Sequence, residues 1–247
     1  CCDVVEDIAK EAAAELGCES WYTSASEMIE TEGLDAVSIA TPSGTHGELT
    51  VEAVEAGADV LCEKPLELNQ ERLNAMIAAA EREDATLAGV YQFRTRPETR
   101  FLKHAVDTGL LGDPVLASTT LKWFRGEEYY APEHKGTRDM DGGVLFNQGI
   151  HVIDRLQWIM GGVDSVMAHV DTQVHDIEAA DTASMSLRFE NGALGAIQAS
   201  TATGAGVDRT VVDGRRGSIE LDIEDDITHF ERIEEGEETI STNPDTE

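Results

Sequence analysis

Two short segments of this 247-residue chain carry side chains able to handle protons at positions where a fold would build a site. The first is Val60-Leu61-Cys62-Glu63-Lys64-Pro65, an apolar run that ends in an acid, a base and a proline. Such a run, bounded by turn residues, reads as a buried strand of a parallel sheet. Ligands of such sheets bind just beyond the carboxyl ends of the strands. Lys64 then stands where chemistry is expected, and Pro65 stops the strand. The alternative is a strand-end lysine pointing to water. The second segment runs from Gly142-Gly143 to Asp154. If it is helical from Asn147, then Asn147, His151 and Asp154 share one face at spacings of four and three. A histidine can act as a general base near neutral pH, and Asn147 and Gln148 beside it would orient hydroxyls. A lone helical histidine is otherwise usually structural. Leu156, Ile159 and Met160 are core candidates.

These residues need elements to place them. Over residues 1–92, helical and strand patterns alternate. Val5, Ile8, Ala12 and Leu16 recur at helical spacing, closed by Gly17. Trp21-Tyr22 is a short strand candidate, and Ser24 with Glu27 forms a capping box. A buried strand at Ala36–Ala40 precedes a helix from Thr45 to Ala56. The strand Val60–Glu63 follows, then a helix capped by Asn69, then a strand at Thr86–Tyr91. This alternation implies right-handed parallel crossovers and a doubly wound sheet. After residue 92 the rhythm changes. One helix opens at Pro97, Val115–Arg125 alternates like an antiparallel strand, and 126–141 is a polar loop with aromatics. A helix at 147–160 leads to strands at 165–172, 182–189, 193–202, 210–212 and 218–222. Asn191-Gly192 is a hairpin turn signal. The acidic stretch 231–247 reads as a mobile tail. The fold class is therefore α/β: a Rossmann-like parallel-sheet domain over 1–92, then an α+β domain with an open antiparallel sheet over 93–247.

Within the first domain, a Gly-x-Gly-x-x-Gly loop of the kind that cradles a pyrophosphate is absent near the start. The first strand and glycine loop of a dinucleotide fold thus lie outside this chain, which reads as beginning partway into a fold and stopping short at its C-terminus. Asp3 would then end the second strand, where an acid bonds a ribose 2′-hydroxyl; a helix N-cap aspartate is the equal alternative. Thr41-Pro42-Ser43-Gly44-Thr45-His46 joins a strand to a helix. Its hydroxyls and free amides suit a ribose or phosphate, although many such loops are mere connectors. Trp123, Tyr129 and Tyr130 offer stacking surface or loop packing. Of Arg94, Arg96, Arg125 and Arg138, one or two would bind an anionic substrate group, the alternative being surface ion pairs.

Composition excludes several function classes. Lys+Arg is 18 against 49 Asp+Glu, a formal net charge of −31. That balance opposes a nucleic-acid surface and docking on anionic lipid. Acids spread along the chain, with only five lysines among its cations, fit a high-salt cytoplasm where salt screens self-repulsion. Cys1, Cys2, Cys18 and Cys62 have neither disulfide-framework nor zinc-ligand spacing, so no metal is expected and the thiols are read as reduced. No run is long enough to span a membrane and no signal peptide is visible. The expected location is cytoplasmic.

Glu63-Lys64-Pro65, the Thr41–His46 loop and Gly142-Gly143…His151…Asp154, in that order along essentially the whole chain, together resemble the Gfo/Idh/MocA oxidoreductases. The resemblance implies an NAD(P)-dependent sugar or polyol dehydrogenase, with a Rossmann domain followed by an open antiparallel sheet. It puts the catalytic lysine on Lys64 and the active-site histidine on His151. Many members have Asp where this chain has Asn147. The implied cofactor contacts are Asp3, Thr41, Pro42, Ser43, His46, Glu63, Lys64 and Gln92, with NAD favoured over NADP by Asp3. The implied substrate contacts are Lys64, Arg125, Tyr129, Asn147, Gln148 and His151. With Asn147 neutral, Lys64 has one fewer carboxylate holding its proton, so a lowered pKa is expected, with Glu63 opposing. Asn-Gln-x-x-His, with Lys122-Trp123-Phe124-Arg125 and Glu128-Tyr129-Tyr130 upstream, resembles the nucleotide-sugar branch, which includes enzymes oxidising C3 of UDP-N-acetylglucosaminuronic acid. Two other readings stay open on the same fold: an NAD-dependent glycosidase using transient oxidation, and a non-catalytic sugar or dinucleotide sensor. A homo-oligomer through the outer face of the antiparallel sheet is expected.

Overall fold

The computed structural model describes residues 1–204, 206–222, 226–233 and 239–242. The chain divides into two compact units, Cys1–Val90 and Tyr91–Glu247.

In the first unit, helices α1 (Glu6–Leu16) and α2 (Ala25–Glu32) precede strand β1 (Ala36–Ile39). Helix α3 (His46–Glu55), β2 (Asp59–Cys62), α4 (Gln70–Glu83) and β3 (Leu87–Gly89) follow. The three strands are parallel in the order β1-β2-β3, with Ile39 beside Cys62 and Cys62 beside Gly89. Ser24 caps α2 through the Glu27 amide, and Asn69 caps α4 through those of Glu71 and Arg72. Ile39, Val60 and Cys62 pack with Ile29, Ala53, Val54 and Ala79 from α2, α3 and α4. The strands expected to be fully buried are covered on this face only. Ala36, Ser38 and Asp59 point outward, and Leu61 is 47% exposed. The Trp21-Tyr22 strand reduces to a single parallel bridge between Cys2 and Tyr22.

The second unit opens with a 3-10 turn, Gln92–Thr95, and α5 (Pro97–Asp107). Strand β4 (Pro114–Lys122) leads through a long loop to α6 (Gly143–Phe146) and α7 (Ile150–Met160). Strands β5 (Val163–Asp171), β6 (Thr182–Phe189), β7 (Leu194–Ser200), β8 (Val207–Gly214), β9 (Gly217–Asp222), β10 (Asp226–Ile233) and β11 (Thr239–Thr242) follow. The sheet order is β11-β10-β9-β8-β4-β7-β6-β5. It is antiparallel except for β4 and β7, which run parallel because β4 enters the middle of the sheet after α5. Leu102 and Ala105 of α5 and Leu156, Ile159 and Met160 of α7 pack on one sheet face, against Ala117, Phe189, Ile197, Val212, Ile219 and Leu221.

Two expectations are corrected. The stretch 231–247 is not a bare tail: residues 231–233 and 239–242 pair as antiparallel strands, and its other residues lie outside those described. The helix expected from Asn147 breaks instead into α6 and α7, with Asn147 capping α6. The turn at the break packs tightly: the Gly149 amide, at the N-cap of α7, bonds the Val144 carbonyl at 2.6 Å, and a Cβ on Gly149 would stand 2.7 Å from that oxygen.

Candidate functional site

The first unit presents Lys64 on a turn held from both sides by the start of α3. β2 ends at Cys62, the Glu63 amide still bonds the Ile39 carbonyl, and the Lys64–Pro65 peptide is cis. The Glu63 carboxylate folds back to accept from the Lys64 amide at 3.1 Å. Lys64 is half-buried and Pro65 buried. His46, the first residue of α3, is buried, with Nδ1 2.8 Å from the Pro65 carbonyl and Nε2 2.9 Å from that of Thr41. The imidazole thereby ties the Thr41 loop to the Lys64 turn. Both ring nitrogens are engaged with backbone.

Glu67 supplies the other hold. Its buried carboxylate accepts from the amides of Gly47 (3.1 Å), Leu68 (2.7 Å) and Asn69 (3.2 Å) and pairs with Arg72 at 2.8 Å. A carboxylate at a helix start meets unsatisfied amides and the positive end of the dipole. The approach needs Gly47, since a Cβ there would lie 2.4 Å from Glu67 Oε2. Sequence reasoning missed Glu67, because nothing in its local pattern separates it from any surface acid.

The other first-unit candidates are exposed or half-buried. Thr45 Oγ1 donates to the Pro42 carbonyl at 2.8 Å, so its 2.7 Å contact with Thr41 Oγ1 uses the Thr41 proton. Thr41 Oγ1 therefore keeps lone pairs to accept with. Ser43 begins a 3-10 turn beside it, and Pro42 is exposed. Asp3 Oδ1 accepts from the Val5 amide at 2.8 Å ahead of α1. The N-cap of α1 is Val5, with no side-chain cap bond, so the N-cap alternative for Asp3 is not met, and its bond to the Val5 amide is a local turn. A carboxylate that accepts and threonine hydroxyls that accept or donate are groups of the chemistry that ribose hydroxyls pair with.

The second unit assembles a different centre. His151, near the start of α7, is buried and stacks on Phe93, with ring centroids 4.7 Å apart and an interplanar angle of 21°. Trp123 lies at 6.4 Å, tilted. The turn carrying Phe93 is clamped to α7 by Arg94, whose Nε bonds Asp154 Oδ2 at 2.8 Å and whose Nη2 bonds Oδ1. Asp154 is therefore a clamp for the Phe93 turn, and it takes up two of the Arg94 nitrogens. Gln92 sits exposed on the same turn. Beneath His151, one helical turn on, Arg155 is fully buried against Asp208 (2.6 Å) and Thr210 (2.7 Å). Burial pulls the Arg155 guanidinium down and pushes the Asp208 carboxyl up, each opposed by the other's charge.

Since Asn147 lies outside α7, its side chain faces a separate cluster. Its Nδ2 donates to Tyr129 Oη (3.1 Å) and to the buried Asp141 carboxylate. Gln148 Nε2 donates to the same hydroxyl at 2.8 Å. Lys135 bonds Asp141 at 3.1 Å and reaches Tyr129 Oη at 3.4 Å, while the Gly136 amide takes the other Asp141 oxygen at 3.1 Å. Burial pulls the Lys135 ammonium down, but the Asp141 carboxylate outweighs it and holds the group above the usual lysine range. The departure at Asn147 is thus set beside a buried carboxylate six residues earlier. Sequence reasoning missed Asp141 and Lys135, although Asp141 directly precedes the Gly142-Gly143 pair.

Arg125 lies over the Trp123 and Tyr129 rings at 5.8 and 5.1 Å. Among the described residues it has no acidic partner, whereas Arg138 bonds the Glu178 carbonyl and Arg96 covers Phe93. The loop bearing Arg125 is fastened by His175, whose Nε2 is 2.8 Å from the Arg125 carbonyl and whose Nδ1 is 3.0 Å from Asp181. Burial alone would raise the Asp181 carboxyl; the amides of Gln173, His175 and Val174 and the Thr182 hydroxyl outweigh it and hold the group at about 2. A cavity of about 320 Å³ opens beside α6, lined by Arg138, Gly142, Phe146, Thr172 and Glu178 among others, so that Arg138 is the expected candidate found on it. Among the described residues no cluster of three or more His, Cys, Asp or Glu could hold a metal, and no helix is long and apolar enough to cross a membrane.

Comparison with known proteins agrees with this two-part construction. A family model described as an oxidoreductase family with an NAD-binding Rossmann fold matches residues 2–91, and the GFO/IDH/MocA C-terminal domain model matches residues 99–220. Myo-inositol 2-dehydrogenase of Thermotoga maritima is 33% identical over 226 residues, covering 89% of this chain and 66% of that protein. The scyllo-inositol 2-dehydrogenase (NAD(+)) of Bacillus subtilis is 29% identical over 228 residues, covering 88% and 64%. The chain thus spans a little under two thirds of the length of these relatives. The structure of the WlbA dehydrogenase from Bordetella pertussis, in complex with NADH and UDP-GlcNAcA, superposes with a TM-score of 0.91 at 30% identity, covering 94% of this chain and 74% of that one. With both family models in register on the two units, and a solved relative aligned over nearly all of this chain, the protein belongs to the GFO/IDH/MocA family of oxidoreductases.

Proposed function

We propose that the protein is a nicotinamide-dependent dehydrogenase acting on a carbinol carbon of a sugar or polyol, and that its preferred substrate carries an anionic group, as nucleotide-linked sugars do. The observation that carries the sugar reading is the Tyr129 cluster. Tyr129, Lys135, Asp141, Asn147 and Gln148 concentrate hydrogen-bonding groups in one place, next along the chain to the helix that holds His151. Arg125, stacked on two aromatic rings and lacking an acidic partner among the described residues, supports the anionic preference. The inositol dehydrogenases and the WlbA protein among its relatives support the same substrate class.

When bound, the nicotinamide supplies the hydride acceptor. The chain's own residues do the rest. The Lys64 ammonium bonds the reacting oxygen and stabilises the negative charge that grows on it. His151, held flat on Phe93, accepts or relays the hydroxyl proton. Asn147 and Gln148 orient neighbouring hydroxyls, and Tyr129 fixes both amides. Asp3 takes a ribose hydroxyl, and its charge would repel a 2′-phosphate, which favours NAD over NADP.

The test follows reduced-nicotinamide absorbance with the protein expressed from its complete gene, at high salt. NAD⁺ and NADP⁺ are each tried with inositols, aldoses and UDP-linked hexuronic acids. Turnover on an anionic sugar, with KM raised at least tenfold by Arg125→Ala, is expected. Turnover confined to neutral polyols would remove the anionic preference. Glycoside cleavage without net NADH would move the reaction to the transient-oxidation class, and binding without turnover would leave a sensor.

A further inference from the structure

The N-terminal segment holds two thiols that the proposed reaction does not use. Cys1 Sγ and Cys18 Sγ are 3.3 Å apart on the exposed side of the first unit. Their backbones are anchored independently of the sulfurs. The Cys1 backbone nitrogen donates to the Ser20 carbonyl at 3.1 Å, and the Cys1 carbonyl accepts from the Tyr22 amide at 2.8 Å. Cys18 is fixed at the end of α1, its amide bonding the Ala13 carbonyl at 2.8 Å across Gly17 in the left-handed region, φ +72°. A disulfide bond is about 2.05 Å long. The sulfurs therefore need to close by little more than an ångström, within the reach of side-chain rotation at an exposed site.

We propose that Cys1 and Cys18 form a reversible redox clasp, a disulfide that closes residues 1–18 around α1 when the protein meets a low-molecular-weight disulfide. The thiolate of one cysteine attacks the small disulfide, forming a mixed disulfide and releasing one small thiol. The second cysteine displaces the other small thiol. Two protein thiols are thereby oxidised by two electrons, and the small disulfide is reduced to two thiols. The remaining cysteines do not compete. Cys62 is fully buried, and burial pushes its thiol up to about 12; Cys2 is also pushed up by burial. Exposure favours Cys18 as the attacking thiol, and its 3.3 Å contact with Cys1 makes that the pair that closes. The cross-link would restrict the unfolded chain around α1 and so stabilise the first unit.

The experiment incubates the folded protein with oxidised glutathione at pH 8, then uses intact-mass measurement, peptide mapping and thermal melting. A mass lower by two hydrogens, a peptide joining Cys1 to Cys18, a raised Tm and full reversal by dithiothreitol are expected. Cys2→Ser should behave like the parent. Cys18→Ser should stop at a glutathione adduct with no gain in Tm. Linkage through Cys2, stable glutathione adducts on both thiols, or a disulfide-linked dimer in place of the internal bond would each overturn the clasp.

Discussion

The Lys64 turn and the Tyr129 cluster are both built from hydrogen bonds around a buried carboxylate, but they are held differently. At the turn, His46 and Glu67 grip backbone atoms, and the gripping residues lie within about twenty positions of what they hold. In the cluster, side chains grip side chains: Lys135, Asn147 and Gln148 converge on Tyr129 and Asp141. The neighbouring α7 depends on partners 53 and 60 positions away, through Arg155–Asp208 and Arg94–Asp154. A backbone brace separates the reactive group from the structure that aims it. A side-chain network makes the same groups serve both purposes, so chemistry and stability should part company in the first region and move together in the second.

The comparison can be broken most forcefully at its deepest point. Asp208→Ala strands a fully buried guanidinium under α7, and removal of one partner of such a pair costs about 3–5 kcal/mol. Urea denaturation reads this directly, and a loss below about 1 kcal/mol would mean that α7 is not held from beneath. Lys64→Ala should lower kcat by about 10²–10³-fold, roughly 2.7–4 kcal/mol of transition-state stabilisation, while the folding free energy changes by less than about 0.5 kcal/mol. Full turnover in this variant would remove Lys64 from the chemistry. Asp141→Asn should cost about 2 kcal/mol, leaving the half-buried Lys135 without its carboxylate. Turnover should fall in the same variant, and a fall in one without the other would contradict the network view. Glu67→Gln turns an amide donor towards backbone amides and should cost about 1–2 kcal/mol, with a smaller loss of kcat than Lys64→Ala.

The smallest effect sharpens the comparison in acid. Asp181 titrates at about 2 in the folded chain, below its ordinary value of 3.8. Its contribution to stability is therefore complete above pH 3.8 and disappears as pH falls from there through 2. Asp181→Asn should flatten that part of the stability curve. An unchanged slope between pH 4 and 2 would show that the loop bearing Arg125 is held by other contacts.

Much of the construction was legible because its signals are local. Gly17, Ser24, Asn69, Pro97 and Gly192 mark element ends by backbone and capping preferences that act within a few residues, and all stand at the ends they signal. The strand ending before Lys64 was visible for the same reason. Asn147 was misplaced because helical spacing continues straight through residues 147–149. At the break the Gly149 amide turns back onto the Val144 carbonyl, a close approach that periodicity does not record. The position of His46 in its loop could be read, while its two carbonyl partners could not.

The amino-acid order alone determined which side chains are available and which strand and helix ends carry them: Lys64 after an apolar run, His151 after a glycine pair, a chain of net charge −31. Those properties depend on local backbone preference and on composition. Only the tertiary structure decided which polar groups are spent and which are presented. It committed His46 and Glu67 to backbone, Arg94 to Asp154 and Arg155 to Asp208, and it left Arg125 on its aromatic bed. Hydrogen-bond partners are fixed by where segments meet in space, and a buried polar group must find one wherever in the chain it lies.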